Sequence, residues 1–215
     1  MTVLLLKGVL AYLLGSVVGS LLLGRLRGVD IRRLGSGNAG GTNALRTQGK
    51  RFGIGVLAID IGKGWLATAV LARMRIAPLG TGAVDPEWMV AVCGLAVILG
   101  HVYPLWHGRR GGKGVATLIG AVLGGAPLLL VPMLAAWLLT VVLSGYVGLG
   151  SMLGAVAFAL AAALRPQTRG PLLVFATFAA VLVIYTHRAN IARMRAGTEP
   201  RARRLWLLGL RARSS

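Results

Sequence analysis

Seven apolar runs separated by short glycine-rich or basic stretches organise the chain, approximately Val3 to Leu23, Phe52 to Leu71, Trp88 to Tyr103, Val115 to Gly125, Leu128 to Leu143, Ser151 to Leu164 and Leu172 to Tyr185. None alternates with period two, and hydrocarbon offers no partner to a bare backbone, so each run predicts a helix rather than a barrel strand. Several fall short of the about 20 residues that a crossing needs. The run from Val115, bounded by Lys113 and Pro127, predicts either a half-helix or part of one bent crossing with the run that follows. The count adopted is seven, with six as the alternative. The fold class is all-α, a polytopic helical membrane protein in a single domain spanning 1–215.

Composition agrees with this pattern. Hydrophobic residues make up 56% of the 215 positions and charged residues 13%, and the mean hydropathy is +0.75. No water-exposed surface tolerates that balance, so a soluble domain is excluded. Val3 to Leu23 is about twice as long as an ordinary signal-peptide core. It carries Lys7 inside rather than a basic cluster before it, which predicts a retained first crossing.

Charge then sets the orientation. Of 24 Lys and Arg, 18 fall in Gly24 to Arg51, Pro104 to Gly114 and the tail from Arg188, and the opposite loops hold only Arg73, Arg75, Arg165 and Arg169. The positive-inside rule places the first group in the cytoplasm, with the N-terminus outside and a basic cytoplasmic tail from about residue 188. A pI of 11.9 raises nucleic acid as a partner, but no recognition module is visible, so no nucleic acid is expected. The basic loops instead predict anionic headgroups and phosphorylated substrates. Arg201 to Arg213 predict a tail on the lipid surface. Cys93, the single cysteine, closes no disulfide within the chain and has no metal-ligand spacing, and no metal or cofactor is expected.

Chemistry concentrates in the cytoplasmic stretches. The first reads Gly35-Ser36-Gly37-Asn38-Ala39-Gly40-Gly41-Thr42-Asn43-Ala44-Leu45-Arg46. Glycines let N–H groups approach an anion, Ser36, Asn38, Thr42 and Asn43 add neutral donors, and Arg46 adds a charged fork. A flexible linker needs no such interleaving, and a P-loop ending is missing. The second runs from Gly100-His101 to Gly111-Gly112-Lys113-Gly114-Val115-Ala116-Thr117. There a helix N-terminus and Lys113 make the most anion-ready place in the chain. His101 reads equally as a structural donor or a proton carrier. The stretch Ser144 to Ser151 fits close helix packing at least as well as binding. Asp60 and Lys63, three apart, fit a buried structural pair or a functional one. His187, Arg188, Asn190, Arg193 and Glu199 follow the last crossing. No nucleophile elbow, zinc-protease motif or paired-carboxylate phosphotransfer motif is present.

These loops resemble those of the bacterial acyl-phosphate-dependent glycerol-3-phosphate acyltransferases, small seven-helix membrane enzymes. The likeness lies in Ser36-Gly37-Asn38 through Thr42-Asn43 and Arg46, Gly100-His101, Gly111 to Thr117, and His187-Arg188-x-Asn190-Ile191-x-Arg193 with Gly197 and Glu199; Asp60, Lys63 and Gly64 also fit. The family usually has Pro at Ala39, Ala at Gly41, an aromatic at His107 and Ser at Gly148, and Ser151 is the alternative source of that hydroxyl. The resemblance implies acyl transfer from acyl phosphate to the 1-hydroxyl of glycerol 3-phosphate at the cytoplasmic face of a bacterial inner membrane, among membrane lipids. It implies catalytic roles for Ser36, Arg46, His101, Lys113 and His187. Substrate contacts are implied for Gly37, Asn38, Thr42, Asn43, Gly111, Gly112, Gly114, Ser151, Asn190 and Arg193. A transporter of phosphorylated molecules is the rival class, since a polar pocket among short helices also moves substrates.

Overall fold

The computed structural model describes residues 1–76, 84–165, 170–202 and 205–207. All seven apolar runs are helical, and no strand occurs among the described residues. Ten α-helices are present there: α1 Thr2–Gly15, α2 Gly19–Leu26, α3 Gly41–Gln48, α4 Lys50–Trp65, α5 Pro86–Val102, α6 Val115–Gly125, α7 Leu130–Ser144, α8 Val147–Ala163, α9 Gly170–Thr186 and α10 Arg188–Arg195. A π-helical turn, Leu66–Leu71, extends α4. Among the described residues, three helical stretches are long and apolar enough to cross a membrane, Lys50–Leu71, Pro86–His107 and Pro127–Ser144. Two bent pairs add to these, α1 with α2 at 44° and α9 with α10 at 50°.

The expected crossing from Val3 to Leu23 is built from two helices rather than one continuous helix. Gly15 and Gly19 favour helix poorly and Val18 is extended, so the chain breaks where neighbouring side chains take up the interrupted backbone. The first basic stretch is likewise not all loop, because α3 carries Thr42, Asn43 and Arg46. The run from Val115 forms a separate helix of 11 residues. The third stretch narrows to Gly145 and Tyr146, since Val147 to Gly150 already belong to α8.

The chain divides into two compact units, Met1–Pro127 and Leu128–Ser215. In the first, α1 packs on α5, α4 on α6, and α2 and α3 on α4. Small residues permit these approaches. A Cβ on Gly15 would strike the Val97 backbone and one on Gly100 the Tyr12 carbonyl, while Gly64, Gly120 and Gly124 bring the α4 stretch and α6 backbone to backbone. Lys7, buried in α1, donates to the Ala72 carbonyl at 2.7 Å and so caps the end of the π turn. Asp85 accepts from the Glu87 N–H at 2.9 Å and starts α5 with Pro86 as its first residue. In the second unit α8 packs on α7 and α9, and α10 touches α8 and α9. Phe158 and Phe175 meet edge to face there at 5.7 Å.

Candidate active-site residues

In the first unit Asn43 builds the glycine loop around itself. Its carbonyl oxygen accepts from the Ser36 N–H at 3.0 Å and from Arg46 at 3.3 Å, and its amide donates to the carbonyls of Leu34 at 2.9 Å, Asn38 at 3.0 Å and Ile31 at 3.3 Å. Gly35 leaves room for this, as a Cβ there would strike the Asn43 oxygen. Asn43 is therefore corrected from a donor to substrate to the buried organiser of the loop. Ser36, Thr42 and Arg46 are presented at the surface, and Gly37 turns the chain at φ 72° between Ser36 and Asn38.

Arg32 joins this loop to the second basic stretch. Its guanidinium grips Asp30 at 2.8 and 3.0 Å and donates to the His107 carbonyl at 2.9 Å and the Arg110 carbonyl at 3.4 Å. Those hydrogen bonds to the Asp30 carboxylate hold its pKa down at about 2, against a smaller opposing effect of burial, and raise that of Arg32. Sequence reasoning missed this staple, although an acidic residue two before an arginine at a turn was the signal.

The second stretch is pinned to the end of α5. The Gly111 N–H donates to the Val102 carbonyl at 3.1 Å and the Gly112 N–H to the His101 carbonyl at 3.2 Å. These two N–H groups are spent inside the protein, which corrects their assignment as phosphate donors. Both residues are glycine for space, since a Cβ on Gly111 would strike the His101 carbonyl and one on Gly112 the His101 ring. Lys113, half-buried, and Gly114, at φ 84°, then lead into α6. The first turn of any helix leaves N–H groups without intrahelical partners. In that turn Thr117 is fully buried and its hydroxyl has no hydrogen-bond partner among the described residues. Asp60 and Lys63 do form the buried pair, at 2.9 Å, and His101 joins it.

The second unit holds the other candidates. The His187 ring donates from Nδ1 to the Val183 carbonyl at 2.8 Å, which puts a proton on Nδ1. Glu199 gathers its neighbours, accepting from Asn190 at 2.5 Å and from Arg193 Nε at 2.6 Å. Gly197 makes this possible. At φ 69° it closes α10 with Gly197 N–H to Met194 and Thr198 N–H to Arg193 bonds, a Schellman turn that brings Glu199 back over the helix. Arg193 is thereby matched by a carboxylate, which reduces its value as a net cation. Ser151 is corrected as a hydroxyl source, because it is buried and donates to the Val147 carbonyl of its own helix at 2.9 Å. Gly148 gives its space to Asn190, whose side chain a Cβ there would touch.

Arg201 stacks on Tyr146 and Trp206 at 4.7 and 4.1 Å, and the Ala202 N–H bonds the Gly145 carbonyl at 2.7 Å. This part of the tail docks on the α7–α8 turn. Arg169, Arg203, Arg204, Arg211 and Arg213 lie outside the described residues.

The sequence profile of the family described as glycerol-3-phosphate acyltransferase matches residues 5–197. The chain belongs to that family. As a member of the glycerol-3-phosphate acyltransferases it is an integral membrane acyltransferase, and two relatives of that name are close in sequence. One, from Geobacter sulfurreducens, is 46% identical over 192 residues, with 89% of this chain and 93% of the relative covered. Another, from Chlorobaculum tepidum, is 40% identical over 217 residues, covering 90% and 94%. The solved structure of PlsY, an integral membrane glycerol 3-phosphate acyltransferase, in its glycerol 3-phosphate form superposes with a TM-score of 0.81 at 35% identity, covering 92% of this chain and 94% of that one. The lysophosphatidic acid form of PlsY matches at a TM-score of 0.78.

Proposed function

We propose that this acyltransferase moves a fatty acyl group from acyl phosphate to the 1-hydroxyl of glycerol 3-phosphate, making lysophosphatidic acid and inorganic phosphate as the first acylation of phospholipid synthesis. The observation that carries this reading is Lys113 set beside the N-terminus of α6 by a loop whose own glycine N–H groups are locked. That is a fixed cation and helix end suited to a phosphate whose charge grows as it leaves. The forms in which PlsY was solved name the acceptor and product of such a reaction for that relative. Acyl phosphate is a mixed anhydride, already activated, so positioning and charge stabilisation suffice without a covalent enzyme intermediate.

In the reaction the glycerol 3-phosphate hydroxyl oxygen attacks the acyl carbonyl carbon and the carbon–oxygen bond to phosphate breaks. The hydroxyl proton passes to a phosphate oxygen or to a histidine. Ser36, Thr42, Lys113 and the first turn of α6 hold the donor phosphate, with Gly37, Asn38 and Gly114 shaping their turns. Arg46, Asn190 and His187 serve the acceptor. The work takes place at the cytoplasmic face of a bacterial inner membrane.

Purified protein in detergent, given acyl phosphate and glycerol 3-phosphate, is expected to release inorganic phosphate in step with lysophosphatidic acid. It is expected to do neither with acyl-coenzyme A as donor. Phosphate release that does not depend on glycerol 3-phosphate, or no release at all, refutes the assignment.

A further inference from the structure

The break between Gly15 and Gly19 strands the last carbonyls of α1 and the first N–H groups of α2, and hydrocarbon offers them no partner. Two buried side chains of α4 take them up. Lys63 Nζ donates to the carbonyls of Gly15 at 2.9 Å and Val17 at 2.8 Å, and Asp60 Oδ1 accepts from the Gly19 N–H at 3.0 Å. Lys63 and Asp60 are 2.9 Å apart, and His101 Nδ1 lies 2.8 Å from Lys63 Nζ and 3.4 Å from Asp60 Oδ1. Two protons of the ammonium are committed to carbonyls, so Asp60 and His101 compete for the third. When Nδ1 accepts from the ammonium, the ring's own proton sits on Nε2. Nε2 is the ring atom that a Cβ on Gly112 would strike, and the same residue's carbonyl holds the Gly112 N–H. Lys113 is next in the chain.

We propose that Asp60 and Lys63 are positioning residues for the acyl transfer, setting the Gly111–Lys113 loop through His101 and the Ser36 loop through the break in the first crossing. The second connection is direct. Ser20, one residue beyond Gly19, donates to the Ala39 carbonyl at 2.6 Å, and buried Ala39 packs with Val18 and Leu21. Stability alone gives weak grounds for such a cluster, since buried ion pairs are often replaceable by apolar residues without loss, and an unbroken helix needs none. Moreover, Asp60 Oδ2 is buried with no hydrogen-bond partner among the described residues, a cost that a purely structural core avoids.

This inference rests on the function proposed above, and the parent protein separates the two. A parent that fails to release phosphate refutes that function; a parent that turns over while the variants below match it refutes the positioning role. Lys63→Met in full-length protein, checked for monodisperse elution and helical circular dichroism, is expected to lower kcat about 100-fold with both KM values within about threefold, the pattern of misplaced reactive groups. A folded Lys63→Met with kcat within about threefold of the parent, or with only one KM raised, overturns the proposal. If that variant does not fold, His101→Asn and His101→Phe decide. Asparagine keeps an acceptor for Lys63 and phenylalanine removes it, so the Asn variant is expected to retain at least about tenfold more kcat. Equal kcat values for the two overturn the proposal.

Discussion

At the scale of single residues, the first unit assigns its polar groups to two tasks. Asn43, Gly111 and Gly112 are consumed in holding the loops, and Asp30 and Arg32 staple one loop to the other. Lys113 stands at the end of this construction. Lys113→Ala is expected to leave the protein inserted and folded and to lower turnover about 100-fold or more, the usual loss when a charge-stabilising donor is removed from a dry site. Phosphate-release activity above about a tenth of the parent contradicts that role. The staple makes a separate prediction. Asp30 has a folded pKa of about 2, below its ordinary value of about 3.9, so its contribution to stability is present above that ordinary value and is lost as pH falls through the folded one. The melting-temperature gap between parent and Asp30→Asn in detergent is therefore expected to be constant above about pH 4 and to close toward about pH 2. A gap unchanged down to that limit removes the ion pair as its cause.

Among the elements, α10 depends on how it ends. Gly197 in the left-handed region returns the chain so that Glu199 meets Asn190 and Arg193. A side chain in that conformation costs about 1–2 kcal/mol, so Gly197→Ala is expected to destabilise the protein by about that amount. It is also expected to lower activity together with Glu199→Gln, because both loosen the grip on Asn190. Thermal unfolding and turnover of the two variants check this, and a Gly197→Ala protein as stable and active as the parent excludes the turn from any positioning role. The break between α1 and α2 follows the same logic in a different medium. There the orphan backbone groups are met by side chains from α4, because hydrocarbon offers them no partner.

For the whole molecule, the distribution of Lys and Arg makes the orientation testable. In a Cys93→Ser background, Lys50→Cys is expected to react with an impermeant thiol reagent from the cytoplasmic side and Val84→Cys from the outside. Labelling in the reverse pattern overturns the assigned topology and with it a cytoplasmic site.

What the sequence determined by itself is what depends on local composition. Long apolar runs without alternation made the chain helical and membrane-embedded, glycine and basic motifs marked the family, and Lys113 was placed before a helix because Gly114 and an apolar run follow it. Tertiary structure decided which of the marked residues are available. A backbone N–H or an amide is one donor whether it meets a ligand or a carbonyl, and nothing local tells which. Asn43, Gly111, Gly112 and Ser151 read as donors in sequence, yet each is committed within the protein. The Asp60–Lys63 spacing was legible as a pair, but its partners come from α1, α2 and α5, as much as 48 residues away in the chain. Only the packing of those helices, permitted by glycines at their crossings, brings stranded backbone groups to a buried pair able to satisfy them.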